Sequence, residues 1–354
     1  MQKTKTIEEL KRKRLEKKVD ISLTKKEIIF TEVEKIDEIK IRENYKNLNY
    51  NIAIDNRVLT DKIICDKNDE YFEKYKNAEI LCVFIYSKIT KKVLENMPNL
   101  KIIITRSVGY NHIDLVECHN KKIPVCNVPD YGSHVIAEHV FAMLLSSLRC
   151  IEQASDKTKM CDFNFSGLRG MALKGKTLGI IGTGKIGKKV ARIASMGFLM
   201  DVIAYARHPD IDASLSSHFT YVDSLEEIWE KSDIISLHIP ANKESYHIIN
   251  KKSISQMKDG VVLVNTARGS LIETQALIDG VQSKKISHAV LDVVENEKHI
   301  TDFPELQTMP EILITPHIAF YADDSMKKMY TESFQTIENF IKHKKLIHEI
   351  KEVE

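Results

Sequence analysis

From about Lys25 onward, short runs of β-branched apolar residues alternate with stretches whose apolar positions recur at helical spacing. EIIF (27–30), EILCVFIY (79–86) and LKIIIT (100–105) have strand length and little polar interruption, the pattern of strands buried on both faces of a parallel sheet. Between the last two, Val93, Leu94 and Met97 predict a short helix over 91–99, with Pro98 at its end. SHVIAEHVFAMLLSSLRC (133–150) is apolar nearly all round. It predicts a helix buried in a core or against a second subunit, with Ser133 as N-cap. A polar connection over 155–175 leads to strand 177–181, helix 186–197 and strand 201–206. Next come a helix opened by the capping box Ser224-x-x-Glu227, strand 233–239, helix 252–258, strand 260–266, helix 272–283, and strands 286–292 and 311–315. A helix over 324–343 closes the pattern, with Met326, Met329, Tyr330, Phe334, Ile337 and Ile341 on one face. Strand–helix alternation of this kind predicts an α/β protein with doubly wound parallel sheets.

Composition narrows the class. A length of 354 residues suits two domains, and an apolar share of 43% is enough to fill two cores. Lys+Arg 52 against Asp+Glu 50 leaves +2, which argues against a basic nucleic-acid platform. The N-terminus lacks the apolar segment of a signal peptide, and no apolar run has membrane-spanning length, so a cytoplasmic protein without a membrane partner is expected. Six cysteines without C-x-x-C spacing read as reduced thiols, with no metal site. Residues 1–24, rich in Lys, Arg and Glu, read as a solvated extension.

Glycine is scarce and confined. There are 13, none before Gly109 or after Gly280, and seven of them lie between Gly167 and Gly187. Among these, Gly182-Thr183-Gly184-Lys185-Ile186-Gly187 matches G-x-G-x-x-G between an apolar strand and a helix. There Gly182 allows a tight turn, Gly184 a close approach of backbone to a pyrophosphate, and Gly187 close packing of helix on strand. The helix N-terminus adds N–H donors and a positive dipole end. The residue that grips the adenosine ribose is expected about 20 positions further on. That position holds Ala206, followed by Arg207. No carboxylate is there to bind a 2′-hydroxyl, whereas a guanidinium suits a 2′-phosphate, so NADP(H) is favoured over NAD(H). The plainer alternative is a surface arginine at a strand end, with NAD bound less specifically.

Downstream, Arg268 in VNTARGS, the acids Asp292, Glu295 and Glu297 in LDVVENE, and His317 in ITPHIAF each follow a predicted strand, where open α/β sheets bind ligands. Singly, each has a structural explanation. Jointly, they offer a cation for a carboxylate, a proton donor for a neighbouring carbonyl oxygen, and an acid to orient that donor.

With these motifs, and with RSVGYNHID (106–114) and VPDYGSHVIAEH (128–139), the chain resembles the D-isomer-specific 2-hydroxyacid dehydrogenases, in their D-lactate dehydrogenase-like branch, from about Lys26 to Ile347. The resemblance implies that Arg268 orients a 2-oxo acid and that His317, paired with Glu297, is the general acid/base. It implies that the N–H groups of Val108 and Gly109 receive the substrate carboxylate and that Tyr131 and Phe320 line the substrate pocket. Ile186, Ile239, Pro240 and Ala267 would touch the cofactor, and Asp292 would meet the nicotinamide carboxamide. It implies a flavodoxin-like substrate domain (25–128 and 319–354) into which a Rossmann cofactor domain (129–318) is inserted, a cleft between them for the reaction, and a homodimer built on helix 133–149. Val108 stands where phosphite dehydrogenases carry Lys, which disfavours phosphite. Two other readings stay open: a cofactor-sensing corepressor without turnover, and a reductase for bulkier 2-oxo acids.

Overall fold

The apolar runs form parallel strands throughout. The computed structural model describes residues 26–46, 48–209, 218–343 and 346–351; the extension expected over 1–24 lies outside them. The chain divides into two compact units, Met1–Tyr131 with Met326–Glu354, and Gly132–Ser325 between them in sequence. These bounds fall a few residues after the expected domain boundaries.

The outer unit holds β1 (Lys26–Thr31), β2 (Tyr50–Asp55), β3 (Ala78–Val83), β4 (Ile102–Thr105) and β5 (Val125–Cys126). Their spatial order is β2-β1-β3-β4-β5, the flavodoxin-like winding. One sheet face packs Ile29, Leu81, Val83, Ile103 and Val125 into a core with Leu59, Val93 and Leu94. On the other, Phe30 meets Tyr45 and Phe334, the latter from the closing helix Asp323–His343. The run expected as strand to residue 86 stops at Val83. Beyond it the N–H groups of Phe84, Tyr86 and Ser87 turn to the Glu32 carboxylate, at 3.3, 2.9 and 2.9 Å.

The inner unit holds β6 (Thr177–Ile181), β7 (Asp201–Tyr205), β8 (Phe219–Tyr221), β9 (Ile234–Leu237), β10 (Val261–Asn265), β11 (Ile286–Leu291) and β12 (Ile312–Ile314). They run in the order β12-β11-β10-β9-β6-β7-β8, the dinucleotide-fold order with one strand added. Alternate residues feed two cores, as a sheet covered on both faces requires. Leu178, Ile180, Val262, Val264 and Val290 pack on one side; Ile181, Leu237, Leu263, Ala289 and Leu291 pack on the other.

Several local expectations are corrected. Ser133 is the first helical residue of Ser133–Leu148, not its cap. Gly132 holds the N-cap position, with no side-chain cap. That helix ends at Leu148, and a second helix, Ile151–Lys159, restarts after Cys150 in the left-handed conformation. The polar connection then returns across the first helix. Met171 N–H bonds the Leu148 carbonyl at 2.9 Å, and a Cβ on Gly170 would lie 2.2 Å from that same oxygen. Only half of the expected capping box forms. Ser224 accepts from Glu227 N–H, while Glu227 Oε1 accepts from Asp223 N–H at 3.1 Å. Among the described residues, no single helix is long and apolar enough to cross a membrane.

Candidate active site

The fingerprint turn joins β6 to the helix Lys185–Arg192. Gly182 has φ +95°, open to glycine and strained for other residues. A Cβ there would also lie 2.6 Å from the His238 carbonyl, so the turn packs directly on the end of β9. Gly187 sits against the same turn: its Cβ would fall 2.0 Å from the Gly182 carbonyl. Gly184 is different, since a Cβ there would meet no protein atom within 4 Å. It is the helix N-cap and carries no side-chain cap. The turn thus presents uncovered backbone at a helix N-terminus, the cradle that a dinucleotide diphosphate needs. The residues fit that group. Lys185 is exposed and Ile186 half-buried beside it. Ile239 is half-buried and Pro240 exposed, both just past β9. Ala206 and Arg207 follow β7, and the Arg207 guanidinium forms an ion pair with Glu244.

His238 lies under the turn, with Nε2 2.9 Å from Ser236 Oγ. Burial lowers its pKa to about 4, so the ring is neutral near pH 7.

The other loops leave the ends of β10, β11 and β12. Asn265, at the end of β10, is fully buried. Its side chain braces the next turn, donating to the Arg268 carbonyl at 2.9 Å and accepting from Ala267 N–H at 3.0 Å. Gly269 lets this loop meet the one after β11, for its Cβ would lie 2.0 Å from the Val294 carbonyl.

Asp292 is 1% exposed and organises the segment that carries His317. Its Oδ1 accepts from Thr315 Oγ1 at 2.5 Å and from Ile318 N–H at 2.9 Å, and its Oδ2 accepts from Ala319 N–H at 2.9 Å. Its carbonyl takes His317 N–H at 2.9 Å. These bonds hold His317 at φ +55°, a left-handed conformation that non-glycine residues keep only where the surroundings impose it. His317 Nδ1 lies 3.1 and 3.3 Å from the two Glu297 oxygens. The carboxylate accepts, so Nδ1 carries the proton and Nε2 is the nitrogen available for exchange. Phe320 meets the His317 ring edge-on at 6.5 Å.

Two pairs were not singled out from the sequence. His139 Nε2 lies 3.3 Å from Thr315 Oγ1 and 3.7 Å from Asp292 Oδ1. Burial lowers its pKa despite Asp292. His247 Nε2 lies 2.7 Å from Glu295 Oε1, and Glu295 Oε2 accepts from the N–H and hydroxyl of Thr274. Burial opposes ionisation of Glu295, but bonds from His247 and Thr274 outweigh it and hold the carboxyl below its usual range. Glu295 therefore ties the β11 loop to the 245–250 loop, and of the three candidate carboxylates it is that of Glu297 that bonds the His317 ring. His139 stood within a quoted motif, and nothing local distinguished it from a core histidine.

In the outer unit, Val108 is 46% exposed at the end of β4. The carbonyls of Ser107, Val108 and Gly109 are taken by Val128 N–H, the Asn127 amide and Ser107 Oγ, at 3.0, 2.8 and 2.6 Å. This turns the loop's N–H groups into its remaining polar capacity. Buried Arg106 anchors the loop, donating to the carbonyls of Thr31, Glu32 and Cys82. Tyr131 is 6% exposed at the unit's edge.

A glycine turn on a helix N-terminus, with an Arg loop and an oriented His–Glu pair at other strand ends of the same sheet, suits a nicotinamide-dinucleotide-dependent oxidoreductase of α-hydroxy or α-oxo acids. Residues 141–319 match the family model described as "D-isomer specific 2-hydroxyacid dehydrogenase, NAD binding domain". The D-lactate dehydrogenase of Escherichia coli is 35% identical over 279 residues, 75% of this chain and 84% of that protein. The glyoxylate reductase of Thermococcus litoralis is 37% identical over 264 residues, 73% of this chain and 78% of that one. The crystal structure of Aquifex aeolicus D-lactate dehydrogenase, complexed with NAD and lactic acid, superposes with TM-score 0.77 at 37% identity, covering 89% of this chain and 95% of that one. The chain belongs to the D-isomer specific 2-hydroxyacid dehydrogenase family, in its D-lactate dehydrogenase-like branch, and is an oxidoreductase that exchanges hydride between a nicotinamide cofactor and 2-oxo or 2-hydroxy acids.

Proposed function

We propose that the chain interconverts a small 2-oxo acid of pyruvate size and its D-2-hydroxy acid, using NADP(H) ahead of NAD(H). Gly182, Gly184, Lys185, Ile186 and Gly187 hold the cofactor diphosphate; Ile239, Pro240 and Ala267 flank the rest. Bound there, the nicotinamide supplies or accepts hydride at the substrate's C2. The Arg268 guanidinium binds the substrate carboxylate and polarises the carbonyl, and the N–H groups of Val108 and Gly109 serve as carboxylate donors of the outer unit. Tyr131 and Phe320 limit the side chain that fits. On reduction the imidazolium form of His317 gives its Nε2 proton to the carbonyl oxygen, and on oxidation the neutral ring, its remaining proton kept on Nδ1 by Glu297, takes that proton back at Nε2. Asp292 fixes the loop on which His317 sits and would meet the nicotinamide carboxamide when the cofactor is bound. The NADP(H) preference rests on Arg207 and on Ala206, which brings no carboxylate to the end of β7.

The observation that carries this reading is His317 Nδ1 set on both Glu297 oxygens, at 3.1 and 3.3 Å, by a loop that Asp292 fixes. The test is a panel of 2-oxo acids assayed with NADH and NADPH. Steady turnover is expected, fastest for the small acids. His317→Ala should lower kcat by about 10²–10⁴-fold; near-normal turnover in that variant would refute the assignment. A homodimer belongs to the same proposal. Met160, Phe163 and Phe165, which follow the helix Ile151–Lys159, are 81%, 84% and 85% exposed, an apolar surface suited to a second copy.

A further inference from the structure

We propose that Glu244 tunes the choice between the two nicotinamide dinucleotides by holding Arg207 as its counter-ion. The inference rests on the reading of this site as a dinucleotide site and deepens it.

The strand order places β7 and β9 on either side of β6, whose end carries the glycine turn. Arg207 follows β7 and Glu244 lies on the loop after β9, so the pair spans the end of β6 from both flanks. The Glu244 loop is fixed without help from the Glu244 side chain. Asn242 Oδ1 accepts from the N–H groups of Glu244 and Ser245, at 3.0 and 2.9 Å. Ser245 Oγ accepts from Asn242 N–H at 2.8 Å and donates to the Pro240 carbonyl at 2.7 Å. Glu244 is thereby presented to Arg207 from a built turn, and its substitution leaves that turn intact.

The chemistry follows from charge. A 2′-phosphate dianion requires the Arg207 fork, so it must displace the Glu244 carboxylate and then lie near it. A 2′-hydroxyl has no such conflict and can donate to that carboxylate. Glu244 thus brings, from a different strand, the acid that Ala206 leaves out of the usual place. The two side chains are 59% and 72% exposed, so the pair is a weak one that a dianion can open. The preference for NADP(H) that Arg207 alone would give is narrowed, and both cofactors are accepted.

The experiment titrates the full chain, without 2-oxo acid, with NADPH and NADH by cofactor fluorescence. It adds adenosine 2′,5′-bisphosphate and ADP by calorimetry. Glu244→Gln should tighten NADPH and adenosine 2′,5′-bisphosphate by about twofold to fivefold, roughly the strength of one surface charge pair. It should leave NADH and ADP unchanged or slightly weaker. Arg207→Ala should weaken the two 2′-phosphorylated ligands about tenfold or more, and in that background Glu244→Gln should have no further effect on them. A NADPH to NADH affinity ratio unmoved by Glu244→Gln, with Arg207→Ala still weakening NADPH, overturns the role of Glu244 and leaves the cofactor reading standing. Failure of the unaltered chain to bind either dinucleotide overturns both.

Discussion

At the scale of single residues, the acid–base pair depends on which carboxylate touches the His317 ring. Arg268, Glu297 and His317 follow predicted strands and belong to types that acid–base chemistry needs. Which acid serves His317 is decided in space: Glu297 reaches it, while the nearby Glu295 goes to His247 and Thr274. The partnership of His139, Thr315 and Asp292 joins residues 23 and 176 positions apart, beyond the reach of any local pattern. His238 shows what such hidden burial does to stability. Its folded pKa of about 4 lies below the ordinary 6.5. As pH falls from 6.5 towards 4, the unfolded chain gains a proton that the folded chain refuses, so stability is lost over that window and the loss levels off below it. With its partial exposure counted, the expected loss is about 1–2 kcal/mol by pH 5. Urea unfolding at pH 7.5 and pH 5 checks it, since His238→Gln should lose that much less than the unaltered chain over the same interval.

At the scale of elements, long apolar runs announced the buried strands, and what they omitted has physical reasons. β2, with Ile52, Ala53 and Ile54 as its apolar content, and the three-residue edge strand β8 carry too little apolar pattern to stand out. The helix Lys35–Tyr45 buries only Asp37, Ile41 and Tyr45 and leaves Ile36 and Ile39 exposed, so its apolar residues mark no single buried face. Ser133 read as a cap because serine favours that place, but Gly132 takes it, with only 2.8 Å between a Cβ there and Ser325 Oγ. The glycine turn was legible as a motif, and its three glycines now have separable tasks. Gly184→Ala introduces a methyl group that meets no protein atom, and its φ of −67° suits alanine. Its melting temperature should match that of the unaltered chain, while NADH and NADPH bind at least about tenfold more weakly because the methyl group stands where the diphosphate approaches. Gly187→Ala drives a carbon to 2.0 Å from the Gly182 carbonyl. It should cost about 1–3 kcal/mol or more of stability before any cofactor is added. Thermal melts paired with cofactor titrations separate the two; equal melting losses in both variants would count against a ligand-facing Gly184.

At the scale of the molecule, the spatial order of the strands was expected from the family resemblance and not from the apolar pattern. No apolar run by itself says that β9 lies beside β6 while β7 and β8 lie on its other side. That order comes from the direction of each crossover, a property of the whole sheet. The outer unit is more demanding still, since it is completed by a helix that arrives after the entire inner unit. In that helix Ile337 is fully buried, Phe334 packs on Phe30 and Tyr45, and Tyr330 lies under the Arg106 guanidinium. Ile337→Ala should therefore destabilise the outer unit by about 2–5 kcal/mol. The only tryptophan, Trp229, is buried in the inner unit's core and reports on that unit alone. In urea, the variant's far-ultraviolet circular dichroism should show part of its amplitude lost at lower denaturant, while the Trp229 emission transition keeps its midpoint. Each unit has its own core, and a chain of this kind need not unfold in one step. Coincident shifts of both signals would mean instead that the two units unfold together, and that the C-terminal helix sustains the cofactor-binding fold as well as its own.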